Sequence, residues 1–298
     1  MEIAAVVVTF NRLELLKECI ESIRNQTYKV NEIFVINNSS NDGTLEWLNL
    51  QKDLTVITQE NLGGAGGFYT GIRSAYERGY DWIWCMDDDC ISGKNALAEL
   101  MPFLTLNKRA IYNSLVVSKE NNNKLAFGLY DSVSNKYIDR VILAKDKLLK
   151  GSANFFNGTI VPNEFIKKCG LPLKALFIRG DEYEYFLRAQ NNGVEVISVS
   201  SSIIYHPSEV SFLIENNLFR YKFLYMNNIK RYYLSRNMVI LKRLYRQIKQ
   251  ESVVKKIILD SLCIIFLERT FRNLFCLFEG VFNGIFIELK EIENKENV

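Results

Sequence analysis

Along residues 1–90, short apolar runs alternate with amphipathic stretches. Ile3 to Thr9 is β-branched and apolar throughout, the pattern of a strand buried on both faces. From Asn11 the period lengthens, and Leu15, Leu16, Cys19, Ile20 and Ile23 fall on one helical face. Glu32 to Asn37 (EIFVIN), Leu54 to Thr58 and Asp81 to Met86 (DWIWCM) read as further buried strands. Between them lie a turn and helix start at residues 38–44, and a glycine-rich turn at 61–67 leading into a helix through Tyr76. Strand and helix in strict alternation predict a parallel sheet covered by helices. In such a sheet the loops leaving the C-terminal ends of the strands gather along one edge. Here those loops are TFNR, NNSSNDG, NLGGAGG and DDD, all polar or rich in glycine.

Beyond Asp89 the pattern is mixed. Ala110 to Val117, Lys124 to Leu129 and Lys136 to Leu143 read as antiparallel strands joined by Asn/Ser turns, and Asn154 to Pro162 as another strand. Ile178 to Asn192 reads as a loop entering a helix, and Val194 to Tyr205 as a final strand. From Leu213 the periodicity is helical up to a charged tail, Glu288 to Val298. The expected organisation is an α/β domain over residues 1–215 and a helical C-terminal region over 216–298.

Composition narrows the class. The chain has 298 residues, 48% of them hydrophobic, enough to bury a large core. A net charge of +3 is too small to argue for nucleic acid, and no basic patch interleaved with aromatics occurs in the first two thirds. MEIAAVVVTFNR lacks the basic segment, apolar run and cleavage site of a signal peptide. The scattered cysteines contain no Cys-x-x-Cys pair, so they read as reduced thiols of a cytoplasmic protein. No apolar run reaches the roughly 18 residues of a membrane-spanning helix.

The candidate chemistry sits at strand ends. Asp87, Asp88 and Asp89 follow an apolar strand and repel one another. They fit either a solvated acidic turn or a site for a hard divalent cation, magnesium or manganese. Alternation along an extended chain points Asp87 and Asp89 the same way. His206, the only histidine, follows another strand; it reads as a core or surface residue, or as a ligand sharing that site. Asp181, Glu182 and Glu184 open a helix. The helix dipole accounts for one such acid; a general base for a sugar hydroxyl accounts for another. Asn61 and Gly63 to Gly67 fit a close backbone approach, or a phosphate held by main-chain N–H groups.

Taken in order, VVVTFNR, INNSSNDGT, ENLGGAGGF and WIWCMDDD resemble the family 2 glycosyltransferases of the GT-A fold, over about residues 1–210. NLGGAGGF with the triple aspartate is most similar to the galactofuranosyltransferase branch, with rhamnosyltransferase-like relatives nearby. The resemblance implies that Asp87, Asp89 and His206 hold the metal, which binds the diphosphate of the donor. It implies that Asp88 faces the donor ribose or sugar, and that Thr9, Phe10 and Arg12 grip the nucleotide. Asn38 would meet the uracil edge, and Asn61, Gly64, Gly66 and Gly67 the donor. FIRGDEYEYFLRA is similar to the branch's acceptor-side stretch, so Glu182 is the first choice of base and Asp181 the second. The chain departs from the branch at Gly180, where a tryptophan is usual, so acceptor identity does not carry over.

The implied activity is inverting transfer of a sugar, galactofuranose from UDP-galactofuranose first and rhamnose from dTDP-rhamnose second. The glycan acceptor would be polyprenyl-linked, in synthesis of a bacterial surface polysaccharide such as O-antigen or capsule. A catalytically inactive nucleotide-sugar-binding or glycan-binding module is the competing class. Residues 217–249 interleave basic and aromatic side chains, and YYLSRN resembles a stretch found after the catalytic domain in many relatives. With the apolar segment Ile257 to Phe286, this region reads as a packed helical bundle or as a surface for the inner face of the cell membrane. Oligomeric state is left open.

Overall fold

The computed structural model describes residues 1–107, 109–134, 136–216, 219–245 and 247–292; residues 293–298 of the charged tail lie outside the described residues. The first half runs β1 (Ile3–Thr9), α1 (Leu13–Arg24), β2 (Glu32–Asn37), α2 (Thr44–Leu48), β3 (Leu54–Thr58), α3 (Gly63–Glu77) and β4 (Trp82–Asp87). The middle runs β5 (Ile91–Ser92), α4 (Ala96–Leu106), β6 (Ile111–Ser118), β7 (Lys124–Asp131), β8 (Lys136–Arg140), α5 (Val141–Ala144), β9 (Leu148–Lys150) and β10 (Asn157–Pro162). It is completed by α6 (Asn163–Cys169), α7 (Asp181–Asn191) and β11 (Val196–His206). Then come β12 (Ser211–Asn216), β13 (Phe219–Leu224), α8 (Asn228–Leu244), α9 (Gln250–Cys263), a π-helical turn Ile264–Glu268, α10 (Phe271–Phe286) and α11 (Leu289–Ile292).

Among the described residues, eleven strands form one sheet along the path β3-β2-β1-β4-β10-β6-β11-β5, with β7 and β8 joined to it through β6, and β9 through β11. β1 lies parallel to both β2 and β4, and β3 parallel to β2. Central position explains why β1 is apolar from Ile3 to Val8. Ile3, Ala5 and Val7 enter a core with Leu16, Ile20 and Ile23 of α1 and Leu97 and Leu100 of α4. Ala4, Val6 and Val8 enter the opposite core with Phe68 and Ile72 of α3 and Tyr185 of α7. That is the period-2 alternation of a strand covered on both faces.

β10 turns the sheet mixed, running antiparallel to β4 and β6. β11 lies parallel to β6, with a register shift: Val199 pairs Ser114, and the next pair is Ile203 with Leu115. Residues 200–202 therefore have no backbone pairing with β6, a bulge that Ser202 pins by donating to the Ala96 carbonyl at 2.7 Å and by a 2.7 Å hydrogen bond between its hydroxyl and that of Ser114.

Several elements differ from the sequence reading. The glycines after Asn61 are not a turn before α3 but its first turns. The helix α4, with Pro102 inside it, was not foreseen; apolar on most sides, it has little amphipathic signature. The strand expected to reach Leu143 stops at Arg140 and gives way to one helical turn. β11 is not the final strand. Helix was expected from Leu213, and the chain instead forms the β12–β13 hairpin, with helices beginning at Asn228. Phe223 of that hairpin packs with Cys263, Ile264 and Leu277.

α8 and α10 touch backbone to backbone. A Cβ on Gly280 would stand 2.3 Å from the Tyr232 carbonyl oxygen, and one on Gly284 2.6 Å from that of Arg236. The opposite side of α10 is bare: Phe271, Phe275, Phe278, Phe282, Ile285 and Phe286 are all exposed, Phe271 by 90%. Among the described residues, no helix is long and apolar enough to cross a membrane.

Candidate active site

The loops after β1, β2, β3 and β4 meet at one sheet edge, as parallel topology requires. The loop after β2 locks onto the loop after β1: Ser40 Oγ accepts from the Asn11 N–H, Asn11 Oδ1 from the Asn41 N–H, and Asp42 from the Leu13 N–H that starts α1. NNSSNDG is thereby a capping device for α1, which lacks a side-chain cap from its own N-cap residue.

At the end of β4 the three aspartates separate by environment. Asp88, 4% exposed, points back into the protein, accepting from Thr9 Oγ1 at 2.8 Å and Arg12 Nη1 at 3.0 Å. Burial raises its pKa and outweighs the attraction of Arg12. Thr9 and Arg12 are thus engaged with the aspartates, while Phe10 is 43% exposed at the same edge. Asp89 accepts from Arg12 Nη1 at 2.8 Å and faces His206 Nε2 at 2.9 Å. Burial pushes Asp89 up, but His206 and Arg12 together outweigh it and hold it down at about 2. Asp87 is raised well above the carboxylate range by burial and then by the charge of Asp89.

The imidazole orientation is informative. His206 Nδ1 lies 2.6 Å from the Pro207 carbonyl, an acceptor, so Nδ1 carries a proton. In the neutral ring Nε2 then presents a lone pair to Asp89 Oδ1, a buried oxygen with no hydrogen-bond partner among the described residues. Two lone pairs at 2.9 Å call for a positive species between them, a proton or a metal cation. A backbone carbonyl on the far ring nitrogen is the usual outer support of a histidine ligand. Ligand atoms of Asp89, Cys90 and His206 lie within 4.8 Å of one another. The Cys90 thiol is fully buried and turned to Asn157 Oδ1, and Asp87 lies outside this group, so Asp89 and His206 are the hard-cation ligands brought together among the described residues. Phe127 covers the imidazole, its ring centroid 4.9 Å away.

Across the site stands the start of α7. Asp181, 3% exposed, is driven far above the carboxylate range by burial, then by the charge of Glu182 and a hydrogen bond with it. Its Oδ1 has no hydrogen-bond partner among the described residues. Glu182 Oε2 accepts from the Gly180 N–H at 3.0 Å. The two acidic clusters feel each other: Glu182 contributes to raising Asp87, and Asp87 to raising Asp181. Glu184 belongs elsewhere, held bidentately by Arg188 at 2.9 and 2.6 Å and by the Tyr245 hydroxyl. Gly180 has φ +99, and a Cβ there would meet Asn237 Cβ at 3.4 Å and Leu241 Cδ1 at 3.5 Å. Those are ordinary contact distances, so the positive φ is what disfavours a side chain at that position.

Two expectations about the donor side are corrected. Asn38 is 2% exposed; its Nδ2 donates to the Gly63 carbonyl at 3.1 Å and its Oδ1 accepts from Gln59 Nε2 at 2.8 Å, so both ends of the amide are used within the protein. The glycines are not an open phosphate cradle either. Asn61 Oδ1 takes the Gly63 N–H at 3.0 Å, and the Phe177 carbonyl takes that of Ala65 at 3.0 Å. Gly67 and Gly66 serve packing: a Cβ on Gly67 would stand 2.3 Å from Val8 Cγ1, and one on Gly66 2.3 Å from Leu62 Cβ. Gly64 differs, with Asp181 Oδ2 at 3.8 Å as the only neighbour of an added Cβ within 4 Å. The sequence reading also missed a group of cations at the rim. Arg179 pairs with Glu209, and Lys230 at the first turn of α8 has its pKa lowered by burial and by Arg179 and Arg12. A basic start to α8 was the available signal.

Comparison with known proteins agrees with this geometry. The model of Glycosyl transferase family 2 matches residues 4–155. The galactofuranosyltransferase GlfT1 of Mycolicibacterium smegmatis is 29% identical over 216 residues, 69% of this chain and 70% of that protein. The GalNAc(5)-diNAcBac-PP-undecaprenol beta-1,3-glucosyltransferase of Campylobacter jejuni is 31% identical over 163 residues, 52% of this chain and 50% of that protein. Among solved structures, S. aureus TarS 1-349 in complex with UDP superposes with a TM-score of 0.54 at 13% identity, over 91% of this chain and 74% of that one. GalNAc-T7 with UDP, GalNAc and Mn2+ gives 0.55 at 17% identity, over 70% of this chain and 43% of that one. The mixed sheet with its flanking helices is the GT-A fold.

Proposed function

The chain belongs to glycosyl transferase family 2, and from that premise we propose that it moves galactofuranose from UDP-galactofuranose to a lipid-linked glycan, with inversion, using a divalent cation. The observation that supports this reading is the 2.9 Å approach of His206 Nε2 to Asp89 Oδ1 at the end of β4, with Glu182 across the site.

Asp87, Asp89 and His206 would hold the cation, manganese or magnesium. When bound it supplies positive charge to the departing nucleoside diphosphate. Arg12 keeps Asp88 and Asp89 in place and adds positive charge at the same edge. On the other side, Glu182 accepts the proton of the attacking acceptor hydroxyl. Asp181, held neutral by burial, lends Glu182 a hydrogen bond without adding a second negative charge. With the base on the acceptor side and the cation on the leaving-group side, one displacement suffices, and the anomeric configuration inverts. Exposed Phe10 lies where the base and ribose of the donor would sit.

The names of the relatives support galactofuranose as the sugar and a diphosphate-polyprenyl acceptor. dTDP-rhamnose is the alternative donor, and both ends of the Asn38 amide, assigned to the uracil edge, are engaged within the protein. The row of phenylalanines on α10 supports a peripheral seat on the inner face of the cell membrane, where such an acceptor resides.

A donor screen that measures UDP and dTDP release, with manganese or with EDTA, tests the enzymatic reading. The expected result is manganese-dependent UDP release from UDP-galactofuranose when acceptor is present. Full activity in EDTA overturns the role of the cation; release from dTDP-rhamnose alone replaces the donor. Flotation with anionic vesicles tests the membrane seat. Binding should be lost in a Phe275→Ser/Phe282→Ser variant that keeps turnover on a water-soluble acceptor analogue, and equal flotation of both proteins counts against it.

A further inference from the structure

We propose that Asn237, on α8, is a positioning residue that sets the loop presenting Asp181 and Glu182 to the acceptor; this rests on the reading of Glu182 as the base. The loop, residues 175–180, is an unusual piece of backbone. Phe177 (φ 65), Arg179 (φ 64) and Gly180 (φ 99) are all left-handed, and the first two carry side chains. Such conformations persist only where surrounding contacts enforce them. Here the enforcement comes from α8. Asn237, fully buried, shares the two hydrogens of Nδ2 among three carbonyls, Leu176 at 2.8 Å, Ile178 at 3.0 Å and Arg179 at 2.7 Å. Its Oδ1 accepts from Arg236 Nε at 3.0 Å, and Arg236 Nη2 donates to the Ala175 carbonyl at 2.6 Å. The Tyr233 ring stacks on Phe177, with centroids 4.6 Å apart.

The loop passes this order to both halves of the site. The Phe177 carbonyl caps the Ala65 N–H in the first turn of α3. At the other end the Gly180 N–H holds Glu182 Oε2, and the Gly180 carbonyl accepts from the Glu184 N–H to start α7. A carboxyl–hydroxyl geometry good for proton transfer depends on where Gly180 stands. Asn237 is the side chain that determines this, through the carbonyls on either side of the turn. An amide is required: aspartate has no N–H, and serine reaches less far and has a single hydrogen.

The test uses the full-length protein, the donor found by nucleotide release, and Asn237→Ala, Asn237→Ser and Glu182→Gln variants. kcat and donor KM are measured, with UDP affinity by calorimetry and thermal melts alongside. Asn237→Ala should lower kcat by about 10- to 100-fold while UDP affinity and donor KM stay within about twofold, the signature of lost alignment rather than lost binding. Unchanged kcat in a folded variant overturns the proposal. So does a fall in kcat matched by an equal fall in UDP affinity, which would mark general loosening. If Asn237→Ala does not fold, Asn237→Ser is read by the same criteria. Full turnover in Glu182→Gln overturns the base assignment and this inference with it. Loss of turnover there, beside full turnover in Asn237→Ala, overturns this inference alone.

Discussion

The two acidic clusters that face each other across the site answer the same electrostatic problem in opposite ways. At the end of β4, the carboxylates meet positive partners: Arg12 bridges Asp88 and Asp89, and His206 stands 2.9 Å from Asp89. At the start of α7, Asp181 has no cationic hydrogen-bond partner among the described residues, and burial beside Glu182 drives its pKa far up. Three carboxylates against one guanidinium leave negative charge for a cation to meet; a carboxyl pair with one pKa driven up suits exchange of a proton. Division of labour between carboxylates is therefore a matter of surroundings, since the side chains are nearly alike.

Substitutions can break this contrast or sharpen it. Asp89→Ala removes a ligand and the partner of His206, and should lower manganese-dependent turnover by about 10³-fold. Turnover near wild type in the nucleotide-release assay would reduce the first cluster to a structural ion-pair network. Glu182→Gln should cost about 10²- to 10⁴-fold in kcat with UDP affinity unchanged, because it removes proton acceptance alone; a parallel loss of UDP affinity, read by calorimetry, would merge the two clusters into one donor site.

Asp181→Asn probes the second cluster through stability. The folded-state pKa is raised, so the folded state favours the protonated carboxyl. That contribution is complete below the ordinary value of 3.8 and is lost as pH rises through the raised value. A neutral isostere should therefore raise Tm at pH 7–8, by about 2–4 °C for each kcal/mol recovered in a chain of this size. The gain should vanish in melts below about pH 4; a gain of equal size at both ends of the range would deny that the carboxyl is strained by charge. Arg12→Gln is the mildest change. With 42% of the side chain exposed, its pairs are worth on the order of 1 kcal/mol, so UDP affinity should fall about fivefold or less.

The readable part of this molecule lay where one local rule dominates. β1, β2 and β4 are central parallel strands, and continuous apolar runs such as IAAVVVT have few other structural uses. Asp87 to Asp89 announce themselves because adjacent carboxylates after an apolar strand need a reason. His206 was legible as a strand-end residue, although its approach to Asp89 depends on β11 pairing antiparallel with β5, which sets Tyr205 opposite Ile91. What stayed hidden depends on long-range company. Glycine in α3 says that something comes close, but not that it is Val8 for Gly67 and the Phe177 carbonyl for Gly63, each from a different element. Asn38 is an amide after a strand in either role; only the positions of Gln59 and Gly63 show that it is already occupied. SFLIEN fits a strand or a helix by pattern, and its pairing with FRYKFL decided the matter. The periodicity of α8 marks a buried face, yet nothing in YYLSRN says that its asparagine meets the loop before Asp181.

The bulge in β11 has a consequence for how this protein tolerates change in length. Three residues without partners are an odd number, so they shift the phase of the strand by half a pleat relative to β6. Ile203 to His206 are in step with their neighbours only because of that offset. Deleting one residue from 200–202 would force either a shorter bulge or a one-residue slip of Ile203 to His206 along β6, and the slip would turn the imidazole to the far side of the sheet, away from Asp89. In this stretch of chain, the count of residues guards the site more strictly than their identity.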